Sequence, residues 1–328
     1  MASGRRSLGA GIGLYLTTLA VVLALNFALP RFMPGDPLDQ LADPSSGRFI
    51  GDDPTRDRVL SYYGLDLPLP EQFARYLAAT VRGDLGFSIG YSAPVGEVLV
   101  ARLPWTLLLV LGAIAIASVI AVVAGVEAGW ARGTKRDTLL VGFFLIVESV
   151  PVFVLGIVLI VVFAVQLGWL PLGGAYRPFG AGTPFDRALD VAAHLVLPLV
   201  TLALSLIGAK FLLVRASVVS ILREDYIAVA RAKGLPERLL KYRHALRNAL
   251  LPFVTQLSVQ VGFAVGGAVL VETLFAYPGM GRLLFDAVAY RDYPLLQGAL
   301  LVISVTVLAA NLVMDRLYAR LDPRVAAP

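Results

Sequence analysis

Cysteine is absent from the 328 residues, and only two histidines, His194 and His244, are present. Without thiols the chain can form no disulfide, no Cys-ligated zinc site and no thiol nucleophile. The two histidines lie too far apart in sequence to read as a local metal motif. Charge is scarce as well. Asp, Glu, Lys and Arg make up 16% of the chain while 58% is hydrophobic, against roughly 25% charged residues in soluble domains. So few charges cannot wet a globular surface, and lipid is the solvent this composition fits. No Gly-x-x-x-x-Gly-Lys-Ser/Thr phosphate loop occurs, so the chain lacks that means of hydrolysing a nucleotide. The net charge of +5 does not point to nucleic acid, because the basic residues fall in loops between apolar runs.

What is present is a series of apolar runs. Six approach or exceed the roughly 20 residues that a membrane-spanning helix needs: 8–29, 105–128, 138–167, 192–214, 250–275 and 294–318. The third is long enough to tilt, or to bend at Pro151. Arg5 and Arg6 precede the first run, but its apolar core exceeds a signal-peptide h-region and no clean small-x-small site follows it. It reads as an uncleaved helix. Arg132, Lys135 and Arg136 lie between the second and third runs. Arg215, Arg223, Arg231, Lys233, Arg238, Lys241, Arg243 and Arg247 lie between the fourth and fifth, and Arg316, Arg320 and Arg324 follow the last. The opposite side has only Arg177 and Arg187 in one short loop and Arg282 and Arg291 in the other. Positive residues concentrate on the cytoplasmic side, so six crossings with cytoplasmic N and C termini are expected.

The expected organisation is therefore an N-terminal tail and first crossing (1–29), an external segment (30–104), and a five-helix core (105–328) carrying a cytoplasmic segment at 215–249. The external segment holds ten acidic residues against seven arginines. Within it Leu69–Val81 has helical periodicity, with Phe73, Tyr76, Leu77 and Thr80 spaced for one face.

The cytoplasmic segment carries the most order. Glu224, Asp225, Tyr226, Ile227, Ala228, Val229, Ala230, Arg231, Ala232 and Lys233 read as a short helix with Ala228, Ala232 and Ile227 on a narrow small-residue side. Gly234 is placed to end it, and Pro236 prevents its continuation. A second, basic amphipathic helix begins near Glu237, and Leu251-Pro252 follows. By composition alone this is a solvated positive loop. In order, it resembles the EAA loop of binding-protein-dependent ABC importers, with Ala228-Val229-Ala230 standing where Glu-Ala-Ala would and with Gly234 and Leu251-Pro252 matching. Position 228 lacks the Glu, and the gap from Gly234 to Leu251 is long. Both departures resemble the dipeptide/oligopeptide/nickel branch, whose usual form is Asp-Tyr-x-x-x-Ala-Arg-Ala-Lys-Gly-Leu.

Further blocks extend the resemblance over nearly the whole chain. They are Met33-Pro34-Gly35-Asp36-Pro37, Tyr63-Gly64-Leu65-Asp66-Leu67-Pro68, Gly83-Asp84-Leu85-Gly86 with Ser88, and Arg102-Leu103-Pro104 with Thr106. Glu272-Thr273-Leu274-Phe275-Ala276-Tyr277-Pro278-Gly279-Met280-Gly281 and Arg291-Asp292-Tyr293-Pro294 with Gln297-Gly298 complete the set. The chain resembles the B-type permease subunits of that importer family. The resemblance implies an all-α polytopic type I ABC importer permease fold in the bacterial inner membrane, working with a second permease subunit, two cytoplasmic ATPase subunits or domains, and an external solute-binding protein. It implies no cofactor in this chain, ATP and Mg being bound by the ATPases, and no enzymatic activity of its own. It also implies that the loop helix docks on an ATPase, with Glu224, Asp225, Ala228, Ala230, Arg231, Ala232, Lys233 and Gly234 as contact or hinge positions and Ala228, Ala230 and Ala232 as the docking side. Peptide is the expected cargo, with glutathione and nickel as alternatives in the same family. An ion-coupled secondary transporter is the rival from another class, and no internal repeat supports it.

Among intramembrane charges, Glu148, beside Ser149 and Pro151, reads either as a translocation-pathway residue or as a buried, paired carboxylate. Glu127 and Lys210 lie near run ends and are expected to snorkel to water. Glu272 reads as an interface or structural residue as readily as a substrate contact. Gly125-x-x-x-Gly129 and Gly262-x-x-x-Gly266 read as close helix crossings. His194 is expected to be a satisfied interface residue and His244 a structural one.

Overall fold

The computed structural model describes residues 2–32, 67–178 and 182–321. These are almost entirely helical. The blocks at 33–37 and 63–66 lie outside the described residues, as do the side chains of Gly262-x-x-x-Gly266. The chain forms two compact units, Met1–Pro104 with Leu283–Leu308, and Trp105–Arg282 with Ala309–Pro328.

In the first unit, α1 (Ala2–Phe32) and α2 (Leu69–Val81) pack through aromatic side chains. Phe27 meets Phe73 edge-on at 5.1 Å between ring centroids. Arg31 lies 3.5 Å over the Phe27 ring and donates to Gln72 Oε1 at 2.7 and 3.1 Å. The helix expected at Leu69–Val81 therefore exists, and its apolar face is held by α1. A two-stranded antiparallel hairpin follows, β1 (Phe87–Ser88) on β2 (Ala93–Pro94), with Phe87 opposite Pro94. Asp292 ties it down. Its carboxylate accepts from Ser88 Oγ at 2.6 Å, from Gly90 N at 2.9 Å and from Leu295 N at 3.2 Å. Two sequence blocks 204 residues apart thus meet at one buried carboxylate. The last of these bonds caps the first turn of α11 (Tyr293–Leu321).

Among the described residues, three helices are long and apolar enough to cross a membrane: α3 (Val95–Trp130), α6 (Pro184–Ile221) and the Tyr293–Met314 part of α11. The third apolar run is broken. α4 (Lys135–Ser149) and α5 (Val152–Leu159, continued as a π-helical turn over Ile160–Gln166) meet at 97°. Pro151 causes the break, because its ring drives the preceding Val150 into extended backbone (φ −88°, ψ 124°). The bend expected at Pro151 is present.

In the second unit α6 is the central helix and packs against α4, α5 and α9 (Leu246–Leu274). Its start is fixed by a capping box: Thr183 Oγ1 accepts from Asp186 N, the Asp186 carboxylate accepts from Thr183 N, and Pro184 opens the first turn. Phe211 stacks on Phe144 at 4.2 Å. α3 and α6 cross closely where the glycine pair predicts. A Cβ on Gly125 would come 2.8 Å from Val214 Cβ and 3.0 Å from the Phe211 carbonyl, and one on Gly129 would come 2.8 Å from Val218 Cβ. Only glycine lets the backbones approach this far.

Candidate functional site

The segment singled out on the sequence forms α7 (Asp225–Ala232), α8 (Glu237–Leu239) and a π-helical turn over Leu240–Ala245 that runs into α9. Glu224 is the N-cap in extended backbone, and Asp225 stands in the first turn, where a carboxylate favours the helix dipole. The helix ends where Gly234 adopts φ +77°, a left-handed conformation that glycine takes without strain. Gly234 N then donates to the Arg231 carbonyl at 2.9 Å and Leu235 N to the Ala230 carbonyl at 3.3 Å. These bonds satisfy orphan carbonyls at the helix end.

One face of α7 is turned inward. Ile227 and Ala230 are buried, whereas Glu224, Asp225, Ala228, Val229, Arg231, Ala232, Lys233 and Gly234 are exposed. Neither Ile227, expected on one side with Ala228 and Ala232, nor Ala230 therefore shares their exposed side. At about 100° per residue, positions two apart point in nearly opposite directions while positions four apart align. The outward small-residue strip consists of Ala228, Val229 and Ala232. Arg231 is held by Glu237, Nε to Oε1 at 2.8 Å and Nη2 to Oε2 at 3.3 Å, and its guanidinium lies 5.9 Å from the Trp130 ring centroid. That pairing favours the charged guanidinium and raises its pKa above the ordinary arginine value. Asn248 Nδ2 donates to the Tyr226 hydroxyl at 2.7 Å, joining α7 to α9.

Three further carboxylates organise this unit. Glu127, in the last turn of α3, does not simply snorkel. Its Oε1 accepts from Lys241 Nζ and from the Tyr242 hydroxyl, and its Oε2 pairs with Arg136 Nη2 at 3.1 Å. The hydrogen bond to Glu127 holds the Tyr242 phenol protonated and raises its pKa above the ordinary value of 10. Asp137, buried in the first turn of α4, receives Arg215 of α6 bidentately at 2.6 and 2.7 Å and Gly133 N at 3.0 Å. Glu272 is 0% exposed. It accepts from Thr106 Oγ1 at 2.6 Å, Gly281 N at 2.7 Å and Arg282 N at 3.0 Å, while Thr106 Oγ1 accepts from Met280 N at 2.7 Å. Together Thr106 and Glu272 cap the first amides of α10 (Met280–Ala289), which have no partner within the helix. Glu272 is structural in this arrangement.

Glu148 and Ser149 are exposed at the end of α4. Glu148 Oε2 accepts from Ala209 N at 3.1 Å, and Ser149 Oγ donates to the Leu145 carbonyl at 2.7 Å. Lys210 departs from expectation. It is 0% exposed, and its Nζ has no hydrogen-bond partner among the described residues. The side chain is therefore enclosed and does not reach water. His194 is buried and donates from Nδ1 to the Asp190 carbonyl at 2.7 Å, the satisfied state expected. His244 lies in the π-helical turn. In the first unit a cleft of about 510 Å³ is lined by residues that include Arg31, Gln72, Arg75, Tyr76, Asp84 and Gln297.

Sequence reasoning missed Glu127 and Asp137 as hubs. The available signal was weak: single carboxylates close to a heavily basic cytoplasmic segment.

Residues 117–327 match the family model described as binding-protein-dependent transport system inner membrane component. The chain is 37% identical over 310 residues to the glutathione transport system permease protein GsiC of Escherichia coli K12, covering 94% of this chain and 95% of that one. The GsiC of Shigella dysenteriae matches with the same identity and coverage. Among solved structures, an inward-facing MetNI methionine ABC transporter chain superposes with a TM-score of 0.56 at 18% identity, covering 70% of this chain and 98% of that one. That likeness concerns the fold.

Proposed function

This chain belongs to the family of binding-protein-dependent transport system inner membrane components, and on that premise we propose that it passes small peptides, glutathione foremost, through the inner membrane. It is a permease subunit of an ABC importer and a multi-pass inner-membrane protein. Its family places it with a partner ATPase and a solute-binding protein.

The finer assembly is a heterodimer with a second permease, two ATPase subunits that bind ATP and Mg, and an external binding protein that delivers the cargo. In this reading all six apolar runs cross the bilayer and both termini are cytoplasmic, as the distribution of Lys and Arg supports. α7 is the docking helix. Its outward strip of Ala228, Val229 and Ala232 accepts a close partner surface, with Glu224, Asp225, Arg231 and Lys233 around it. Ala230 serves the inward packing that makes the helix a rigid lever, and Gly234 ends it. Glu148 and Ser149 stand at the Pro151 break, where an exposed carboxylate within an apolar run is costly against lipid and fits a pathway or subunit interface.

The observation that carries the cargo assignment is the 37% identity, over 94% of this chain, to permeases named for glutathione transport. Glutathione is itself a tripeptide, so it joins the peptide and glutathione readings. The test is uptake of labelled glutathione, a dipeptide and nickel by proteoliposomes holding the full transporter and its binding protein. ATP-dependent glutathione uptake at least tenfold above the other two supports the assignment, and uptake of nickel alone overturns it.

A further inference from the structure

We propose that Glu127 is the mechanical junction through which movement of the α7 segment reaches α3 and α4. The inference rests on the reading of α7 as the docking helix and adds the route by which its displacement is passed on.

A docking helix moves the membrane part only if something stiff joins the two. Within this unit α7 is followed by α8 and the π-helical turn. π-helical turns are rare and occur often at functional positions, because the wider turn changes which side chains share a side. Here two consecutive residues of that turn, Lys241 and Tyr242, both donate to the same oxygen, Oε1 of Glu127. The other oxygen of Glu127 pairs with Arg136 at 3.1 Å, at the start of α4. One carboxylate thus holds the end of α3, the start of α4 and the segment after α7.

The position of Glu127 makes it a transmitter. It lies between Gly125 and Gly129, two points at which α3 presses closely on α6. Those contacts are backbone-close, so the end of α3 cannot slide along α6 and must move with it. Asp137, one residue beyond Arg136, is locked to Arg215 of α6 by a bidentate pair at 2.6 and 2.7 Å. A bidentate Arg–carboxylate contact fixes orientation as well as distance. α3, α4 and α6 therefore form one stiff corner, and among the described residues Glu127 is where Lys241 and Tyr242 join it. On the α7 side the lever is braced too, since Arg231 is tied to Glu237 and lies over Trp130, the last residue of α3.

Glu127 is a positioning residue that acts through Lys241, Tyr242 and Arg136. Its role is read in the coupling ratio, cargo transported per ATP hydrolysed, in the fully assembled transporter. Glu127→Gln keeps the shape and removes the charge that holds Lys241 and Arg136. It should lower the ratio at least fivefold while basal ATP hydrolysis stays within twofold of wild type. Lys241→Arg, which keeps a cationic donor, should retain at least half the wild-type ratio. Lys241→Met combined with Glu127→Gln should be no worse than Glu127→Gln alone, as expected for two residues acting through one contact. A merely structural carboxylate would lower the thermal midpoint and the assembled yield and leave the ratio unchanged.

Because the chain has no native cysteine, a single Ala228→Cys can be joined to the ATPase by a thiol-to-amine crosslinker in the same preparations. Crosslinking retained together with a collapsed ratio in Glu127→Gln supports the junction. Crosslinking retained with a ratio within twofold of wild type overturns the junction and leaves the docking reading standing. Absence of any crosslink to the ATPase from Ala228→Cys in the otherwise wild-type transporter overturns the docking reading and the junction with it.

Discussion

Thr106 and Glu272 permit a prediction in which packing and hydrogen bonding point in opposite directions. Thr106→Val replaces a hydroxyl with a methyl of nearly the same volume, so it opens no cavity. It removes an oxygen that donates to Glu272 at 2.6 Å and accepts from Met280 N at 2.7 Å. The Met280 amide is left buried without an acceptor, which costs about 1–3 kcal/mol. A hydrogen bond to a carboxyl oxygen is lost as well, and the two effects together cost about 3 kcal/mol. Thr106→Ser keeps both bonds and loses one methyl, which costs about 1 kcal/mol. The serine variant should therefore be about 2 kcal/mol more stable than the valine variant, roughly a thirtyfold difference in the unfolding equilibrium. Equilibrium unfolding of the two variants by denaturing-detergent titration measures it. A valine variant as stable as wild type, or more stable than the serine variant, would refute the claim that this hydroxyl bridges Glu272 to the start of α10.

Two further outcomes follow from the same reasoning. Gly125→Leu should disrupt the α3–α6 crossing, since even its Cβ would come 2.8 Å from Val214 Cβ and 3.0 Å from the Phe211 carbonyl; a loss of about 1–3 kcal/mol in the same titration is expected, whereas Gly142→Ala, inside α4 where nothing lies within 4 Å of a Cβ, should lose nothing and gain up to about 1 kcal/mol from the better helix former. Tyr242 titrates above its ordinary value of 10 because its hydroxyl is bonded to Glu127. Its folded pKa exceeds its unfolded one, so its stabilising contribution is complete below about pH 10 and is lost as pH rises through the folded value. Tyrosinate absorbance should show one tyrosine fewer ionising near pH 10 in wild type than in Glu127→Gln, and identical titrations would remove the bond.

The chain's hydropathy made α3, α6 and α11 legible, because their runs are long and nearly free of charge. Pro151 announced the break between α4 and α5, since proline acts locally. Gly234 and Pro236 marked the end of α7 for the same reason. What escaped were contacts between distant segments. Nothing local joins Ser88 to Asp292, 204 residues on, or Glu127 to Lys241, 114 residues on. Family blocks flagged Ser88, Thr106, Glu272 and Asp292 as notable without saying that they pair. Lys210 is buried although it stands near the end of a run, because that position says nothing of what covers it. The family resemblance groups Ala230 with Ala228 and Ala232, although the helical period already sets it on the other side.

The most direct test of the account is ATP-driven uptake by proteoliposomes containing the assembled transporter with Ala232→Glu, a substitution that sets a charged, bulky side chain on the outward strip of α7. The membrane subunits should fold and assemble while uptake per ATP hydrolysed falls at least tenfold; uptake at the wild-type rate by a normally assembled Ala232→Glu transporter would show that α7 is not the docking helix.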